Sequence, residues 1–200
     1  YILFGVYFVY ELWRKKNKHK QWEKQYKDDE WFDLVDEEGR VTGRAPRTIC
    51  HSGPGMLHPV VHLHVLDDKD RVFLQKRAVT KEILPGMWDT AVGGHIASGE
   101  NVEQGLKREA QEELGLTEFK AQMAAKYVWE TEIESELVFS FICRYNKPIT
   151  VNTDEISEGK FWKIKKIKEA MGKGILTPNF EFEFQNILLN VLAGNKPKSN

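Results

Sequence analysis

The sequence predicts one mixed α/β domain that follows an N-terminal helical extension. The chain has 200 residues, of which 41% are hydrophobic, and this suffices for one ordinary core. From residue 30 onward, short apolar stretches alternate with turn residues, a pattern typical of α/β and α+β domains. We therefore divide the chain into an extension (residues 1–29), a domain (30–193) and a polar tail (194–200).

The extension contains the most apolar run of the sequence, residues 1–10, followed by a basic run, residues 14–20. Ten apolar residues are fewer than the roughly 18 that a helix needs to cross a bilayer. Two interpretations remain open. The segment is either the cytoplasmic end of a truncated membrane anchor, or a helix of about 27 residues that leans on the domain. The first places the protein at a membrane, and the second agrees with a cytoplasmic protein.

Strands are predicted where apolar residues alternate or cluster between turn signals. The first is Trp31–Val35, which a turn at residues 36–39 closes. Next, Leu57–Leu66 alternates apolar residues with His62 and His64, so we expect a half-buried strand. Further strands are predicted near residues 71–77, 88–92, 124–132, 137–145 and 160–164.

The central helix is predicted at Val102–Leu114, because apolar residues recur there at every fourth position. A short basic helix is expected from Lys165. Pro178 is expected to start a C-terminal helix, whose apolar stripe falls within residues 187–191.

Composition excludes several classes of protein. The 29 Lys and Arg residues nearly cancel the 30 Asp and Glu residues, so there is no overall basic field and we expect no nucleic-acid partner. The two cysteines, Cys50 and Cys143, form no CxxC pair and have no zinc-type spacing. This fits a reducing compartment and argues against a disulfide scaffold or a zinc finger.

Three carboxylates are predicted to share one exposed face of the central helix. Glu109, Glu112 and Glu113 stand at positions i, i+3 and i+4. Like charges this close repel one another unless a cation lies among them, and oxygen-only ligands suit Mg²⁺ or Mn²⁺. Arg108 adjoins the cluster and can hold one carboxylate in place. An acidic cluster alone is more often a solvated helix face, so its meaning depends on its surroundings.

The surrounding residues fit a longer pattern, G-x5-E-x7-R-E-U-x-E-E-x-G-U, where U is apolar, from Gly94 to Leu116. Seven fixed positions agree by chance on the order of once in 10⁸ starting points. The pattern is the signature of the Nudix hydrolases, which the chain resembles from about Trp31 to Trp162. Other segments that carry the resemblance are Arg47–His51, Leu57–His62, Leu74–Arg77, Pro85–Asp89 and Val92–His95.

The resemblance implies an α/β/α sandwich around a mixed sheet. It also implies a metal-dependent attack of water on the diphosphate of a small molecule, with Mg²⁺ or Mn²⁺ as cofactor. By the same resemblance, Glu109 and Glu113 are the main metal ligands and Glu112 assists them. The carbonyl of Gly93 is expected to supply a further oxygen.

The resemblance also implies that Arg108 orients Glu109 and that Glu100 braces the loop before the helix. A carboxylate near the metal takes the proton of the attacking water. Glu109 is one candidate for this base. Glu155 and Glu158, in a later acidic loop, are alternatives, because related enzymes often use a glutamate from such a loop.

A second group of residues resembles the metal site of type I isopentenyl-diphosphate isomerase, a relative with the same fold. Its members here are His51, His58, His95, Glu134 and Glu136. Glu134 and Glu136 point to the same side if they lie in one strand. Neutral imidazoles and carboxylates suit Mn²⁺ or Zn²⁺. The alternative interpretation is that the histidines make loop hydrogen bonds and the glutamates face solvent.

The isomerase also requires a cysteine just before the histidine of its pattern, where this chain has Gly93 and Gly94. Isomerases lose several glutamates of the long pattern, whereas this chain keeps all of them. We therefore expect a hydrolase. An isomerase-like enzyme acting on isoprenoid diphosphates and a non-catalytic nucleotide-sensing module are the alternatives.

The substrate depends on loops and strands outside the long pattern. Arg77 and Lys76 are expected to meet phosphate at the mouth of the site. A homodimer is the default expectation for the assembly.

Overall fold

The computed structural model describes residues 2–194, apart from some side chains between residues 2 and 15. The predicted polar tail lies, beyond Gly194, outside the described residues. In chain order, the first elements are α1 (Ile2–Gln25), β1 (Trp31–Val35), β2 (Val41–Pro46) and α2 (Arg47–Cys50). Strands β1 and β2 pair antiparallel and form a small separate sheet.

The strands that follow form, within residues 2–194, a mixed sheet of seven strands. They are β3 (His58–Leu66), β4 (Val72–Arg77), β5 (Trp88–Asp89), β6 (Val92–His95), β7 (Ala121–Glu130), β8 (Ser135–Arg144) and β9 (Ile156–Trp162). Strand β3 is central: it pairs with β8 in parallel and with β4 and β6 antiparallel. Strand β7 borders β8, while β5 and β9 pair with β4.

Helices cover both faces of this sheet, so the predicted sandwich is confirmed. They are α3 (Val102–Leu114), α4 (Ile164–Ala170), α5 (Pro178–Glu183), a π-helical turn (Phe184–Leu188) and α6 (Leu189–Leu192). One core cluster joins α3 to the sheet through Leu106, Ala110 and Leu114. The opposite cluster joins the C-terminal helices to the sheet around Trp88 and Phe180.

Helix α3 has the bounds that its apolar spacing predicts, and both of its ends are capped. The side chain of Asn101 accepts a hydrogen bond from the amide of Gln104, and the Gln104 side chain accepts one from the amide of Asn101. At the other end Gly115 adopts φ = 67°, a conformation that glycine takes without strain. These caps fix the helix that carries the predicted carboxylates.

Strand β3 corrects the prediction of a half-buried strand, because all nine of its residues are buried. Helices pack over both faces of the sheet, so every residue of β3 is shielded from bulk solvent. His62 and His64 face a buried carboxylate of α5, Glu183: Oε2 lies 3.0 Å from His62 Nδ1 and 2.9 Å from His64 Nε2. Thr90 Oγ1 lies 3.1 Å from His64 Nδ1.

Other element bounds also differ from the predictions. Strand β2 and helix α2 were not predicted, since Gly43 and Pro46 disfavour a strand and only the pairing with β1 stabilises it. The strand predicted at residues 88–92 is two short strands, because the chain leaves β4 after Asp89 and joins β3 at Val92. Strand β9 begins at Ile156, four residues earlier than predicted.

Within residues 2–194, none of the helices combines the length and the hydropathy that crossing a membrane requires. Cys50 and Cys143 are both buried free thiols.

The pair formed by His62 and Glu183 predicts a pH-dependent stability. The field of Glu183 overcomes burial and raises the pKa of His62 from 6.5 to about 9. The folded state therefore binds the proton more tightly, so this stabilisation is complete below pH 6.5 and disappears as the pH rises through 9. We expect the free energy of unfolding to fall by on the order of 2–3 kcal/mol across this window through this one group.

Urea unfolding of the wild type and of His62→Gln at pH 6.5, 8 and 9.5 measures this contribution. The variant should lack the decline, whereas Glu169→Gln, at an exposed position on α4, should keep it. Parallel stability curves for the wild type and His62→Gln would contradict the assignment.

Candidate active site

A cavity of about 800 Å³ opens where β6 leads into α3. Its lining is rich in carboxylates, and cationic side chains stand among them. The carboxylates are Glu30, Glu82, Asp89, Glu109, Glu112, Glu113, Glu132, Glu134, Glu136 and Glu155. The cations are Arg47, Arg77, Lys81 and Arg108. Such a cavity suits a small polar ligand that brings or shares a metal cation.

Arg108 connects the loop before α3 to the helix itself. Its guanidinium donates two hydrogen bonds to Glu100, of 2.9 and 2.8 Å, and one to the carbonyl of His95 at 2.9 Å. It also donates to Glu109 at 2.7 Å and to Glu112 at 3.2 Å. The roles that the resemblance implied for Arg108 and Glu100 agree with these contacts.

Glu113 does not lie on an exposed helix face as predicted, since only 5% of its surface is accessible. Its Oε2 accepts hydrogen bonds from Gln75 Nε2 at 3.1 Å and from the amide of Gly93 at 3.2 Å. Burial, and then the charge of Glu109, raises the pKa of Glu113 well above its usual value. Glu113 is buried because β6, at the edge of the sheet, packs against this part of α3.

Glu109 lies beside Glu113 and is also largely buried. Burial raises its pKa from 4.5 to about 7, while Arg108 opposes this shift. The carboxylate lies directly over Gly94: a Cβ atom on this glycine would overlap Glu109 Cδ. Glycine at position 94 therefore leaves the space that the carboxylate occupies.

The remaining carboxylates predicted from the long pattern are more peripheral. Glu112 lines the cavity, but 54% of its side chain is exposed. Glu155 also lines the cavity and pairs with Lys81 at 2.7 Å. Glu158 pairs with Lys160 at 2.6 Å and is not among the residues that line the cavity. Of the two loop alternatives for a general base, the structure places only Glu155 at the site.

The second predicted group comes together at the other side of the same cavity. One ligand atom from each of His51, His58, His95 and Glu134 lies within 4.8 Å of the others. His51 Nε2 is 3.1 Å from His95 Nε2 and 3.3 Å from Glu134 Oε2. His58 Nδ1 lies 2.7 Å from the carbonyl of Met56. Among the described residues, the buried His58 Nε2 has no hydrogen-bond partner, and the contact of His51 Nε2 with the buried Glu134 Oε2 lacks hydrogen-bond geometry.

The three histidines are held in the neutral form that binds metals. Burial, reinforced by the charge of Arg47, lowers the pKa of His51 to about 4 and that of His95 well below 6.5. Burial also lowers the pKa of His58. The ring of Phe32 stacks on His95, with centroids 4.4 Å apart, and fixes its orientation. Together with the two orphaned atoms, this chemistry fits a divalent cation.

Glu136 departs from the prediction. It lines the cavity, and burial followed by the charge of Glu134 raises its pKa to about 7. It is not one of the four grouped ligands, however. The expectation that Glu134 and Glu136 share one side assumed that both lie in a strand, but Glu134 precedes β8, which begins at Ser135.

Of the two residues predicted to bind phosphate, the structure places only one at the cavity. Arg77 lines the cavity and is held by the carbonyl of Ile83 at 3.0 Å and by Asp89 at 3.3 Å. Lys76 is not among the residues that line the cavity. Side chains alternate along β4, so Gln75 and Arg77 face the cavity and Lys76 faces the other way.

The lining residues that sequence reasoning missed include Gln75, Lys81 and His62. Gln75 contacts Glu113 directly, and Lys81 pairs with Glu155. The signal for Gln75 was available, because it is two residues from Arg77 in a predicted strand. Lys81 is positioned by a loop, and sequence alone gives no such placement.

Comparison with known proteins gives a consistent result. A family model described as the NUDIX domain matches residues 56–180. An uncharacterised Nudix hydrolase of Listeria monocytogenes is 30% identical over 165 residues, which are 82% of this chain and 95% of the relative. A protein named isopentenyl-diphosphate Delta-isomerase 1, of Photorhabdus laumondii, is 30% identical over 166 residues, 78% of this chain and 94% of the relative.

Solved structures show the same fold. A crystal structure of a Deinococcus radiodurans protein aligns with a TM-score of 0.63 at 21% identity, covering 78% of this chain and 97% of the other. That of a MutT protein from Methanosarcina mazei aligns with a TM-score of 0.57 at 21% identity, covering 64% and 91%.

The space above Gly94 gives a prediction about metal binding. Gly94→Ala should displace the Glu109 carboxylate and weaken Mn²⁺ binding about ten- to a hundredfold. Calorimetric titration with Mn²⁺ measures the change. Gly43→Ala, in β2, is the matched control, because its added methyl group meets only Leu34 Cδ1 at 3.9 Å. Equal affinities of the wild type and Gly94→Ala would show that Glu109 is not a ligand.

Proposed function

The chain belongs to the Nudix family, and on this premise we propose that it is a Mg²⁺- or Mn²⁺-dependent hydrolase that cleaves the diphosphate linkage of a small organic molecule. The observation that carries this proposal is the pair of carboxylates at the wall of one cavity, the buried Glu113 and the partly buried Glu109. Burial raises the pKa of both carboxylates, and the charge of Glu109 raises that of Glu113 further, so a bound divalent cation would stabilise their ionised forms.

Two carboxylates would hold this cation, Glu109 and Glu113, with Glu112 at the solvent side. The carbonyl of Gly93 remains a proposed further ligand. When bound, the cation neutralises the oxygens of a diphosphate and promotes attack by water. Oxygen donors in this number agree with Mg²⁺ or Mn²⁺.

Glu109 is our proposed general base. Arg108 binds its Oε1, and Oε2 lies over Gly94. An ionised carboxylate at this position can accept a proton from water. Glu155 is the alternative base, because it lines the same cavity. Arg77 is placed to contact a phosphate group of the substrate.

We propose a second cation site at His51, His58, His95 and Glu134. Its neutral imidazoles and the unpartnered His58 Nε2 support the proposal. Nitrogen donors in this number suit Mn²⁺ or Zn²⁺ better than Mg²⁺.

The second candidate function is an isomerase acting on isoprenoid diphosphates. It is favoured by the four grouped ligands and by a relative that carries the isomerase name. It lacks a thiol at the site: Cys50 and Cys143 are buried, and neither is among the residues that line the cavity. Gly93 and Gly94 stand where the isomerase pattern has its cysteine. We therefore favour hydrolysis.

Phosphate release tests the proposal across a panel of nucleoside triphosphates, dinucleotides, nucleotide sugars and isoprenoid diphosphates, with Mg²⁺ or Mn²⁺ and coupling phosphatases. Metal-dependent release from one class supports a hydrolase and identifies its substrate. Conversion of isopentenyl diphosphate to its allylic isomer, without release of phosphate, would replace the proposed hydrolase function by that of an isomerase. Binding of a nucleotide without turnover would indicate a sensor.

Glu113→Gln should separate activity from stability. It removes a metal ligand, so turnover should fall roughly 10²–10³-fold. The ionised carboxylate is destabilising in the metal-free fold, because its pKa is raised in the folded state. The melting temperature in EDTA should therefore stay equal or rise.

Glu103→Gln is the control on the same helix, since Glu103 is exposed and pairs only with Lys107 among the described residues. It should leave turnover unchanged. Full activity of Glu113→Gln in saturating Mg²⁺ would refute the assignment of this site.

His58→Ala should leave hydrolysis measurable but change the preference among Mg²⁺, Mn²⁺ and Zn²⁺, because it removes a ligand of the second site alone. Rates with each metal, and metal content by elemental analysis, measure this. His19→Ala, on α1, is the matched control. An unchanged metal preference and content in His58→Ala would remove the case for a second site.

A further inference from the structure

Helix α1 is attached to the domain through its C-terminal part. The ring of His19 packs edge-on against Trp31, with centroids 5.5 Å apart. Arg44 donates to His19 at 3.2 Å and to Glu23 at 2.7 Å. Trp22 packs against the small core around Phe32. These contacts fix residues 19–25 on the face formed by β1 and β2.

The preceding part of α1 presents large apolar side chains to solvent. Tyr7, Val9, Tyr10 and Trp13 each have between 54% and 64% of their surface exposed. Tyr10 and Trp13 stack on each other, with ring centroids 6.2 Å apart. Exposed aromatic and apolar side chains grouped within two turns of one helix are rare on a soluble surface and mark a site of interaction.

A basic run separates this apolar part from the domain. Residues 14–20 contain five Lys and Arg residues and no acidic residue. Lys16, Lys18 and Lys20 are all exposed. Because a helix rises 1.5 Å per residue, the run occupies about 10 Å of the helix axis. It forms a band of positive charge next to the aromatic residues.

This order along one helix matches the layers of a membrane surface. Apolar residues fit the hydrocarbon boundary, Tyr and Trp favour the interface, and Lys and Arg favour anionic headgroups. We propose that α1 binds a lipid bilayer carrying anionic headgroups, with residues 2–13 in the bilayer and residues 14–20 at the headgroups. A second copy of the chain is a poorer partner, because parallel association would bring two basic runs together.

The attachment of residues 19–25 then holds the domain close to the lipid surface. The ion pair between Arg44 and Glu23 and the packing of Trp22 link the helix to β1 and β2. This inference goes beyond the proposed function and does not depend on it, since it concerns no residue of the cavity that would bind the cation.

Sedimentation with extruded vesicles tests the proposal on the full 200-residue chain. Vesicles of phosphatidylcholine alone are compared with vesicles containing 30 mol% phosphatidylserine, roughly the anionic range at which polybasic segments respond. We expect strong binding only to the anionic vesicles, weakened by high salt. The triple variant K16Q/K18Q/K20Q should bind about a hundredfold more weakly, since each lysine near such a surface contributes about fivefold.

The matched control is K165Q/K166Q/K168Q, which removes three exposed lysines from α4 and should bind like the wild type. A second variant, Y7S/Y10S/W13S, should also lose binding, and Val41→Ser, at an exposed apolar position on β2, should not. Circular dichroism confirms that each variant is folded. The salt dependence of the wild type needs no variant at all.

Three results would overturn the proposal. One is the absence of wild-type binding to anionic vesicles. Another is an equal loss in both lysine variants, which would show a non-specific effect of net charge. The third is a concentration-dependent dimer that Y7S/Y10S/W13S abolishes, without vesicle binding, which would assign the apolar residues to a second copy of the chain.

Discussion

The guanidinium of Arg108 is the contact on which the geometry of the site depends. It joins the loop through Glu100, the strand through the carbonyl of His95, and the helix through Glu109. Bidentate ion pairs of this kind fix orientation as well as distance. Without this contact, Glu109 would not remain over Gly94, and the repulsion between the two carboxylates at the wall of the cavity would not be compensated.

The same contact relates the two proposed cation sites. The carbonyl of His95 accepts from Arg108, while the ring of His95 belongs to the histidine group. One residue thus lies between the donor sets, and members of both sets, His51 and Glu134 on one side and Glu109 and Glu113 on the other, line a single cavity. The chain is similar both to a protein named a Nudix hydrolase and to one named an isomerase. Hydrolysis is favoured over isomerisation by the two carboxylates at positions 109 and 113 and by the glycine at position 93.

Local signals predicted the central features well. The apolar spacing and the glycine stop defined Val102–Leu114, and the spacing of the glutamates identified Glu109, Glu112 and Glu113, which line the cavity. Burial of Glu113 was not predictable, because helical periodicity gives a face and not its partner. Similarly, the alternation along β3 indicated that one of its faces is exposed. The later helix that carries Glu183 covers this face, so all residues of the strand are buried. The prediction that Lys76 lies at the mouth of the site was wrong for a related reason. The register of β4 decides which of two neighbouring side chains faces the cavity.

The most direct test of the central claim is the number of protons released when Mn²⁺ binds. Buried carboxylates with raised pKa values carry protons that a cation must displace. Calorimetry at pH 6.5 in buffers of different ionisation enthalpy counts these protons. We predict release of between one and two protons, because the pKa of Glu109 is about 7 and that of Glu113 is raised well above its usual value, and a smaller number for Glu109→Gln. The same binding enthalpy in every buffer would show that no proton is displaced and would contradict the account.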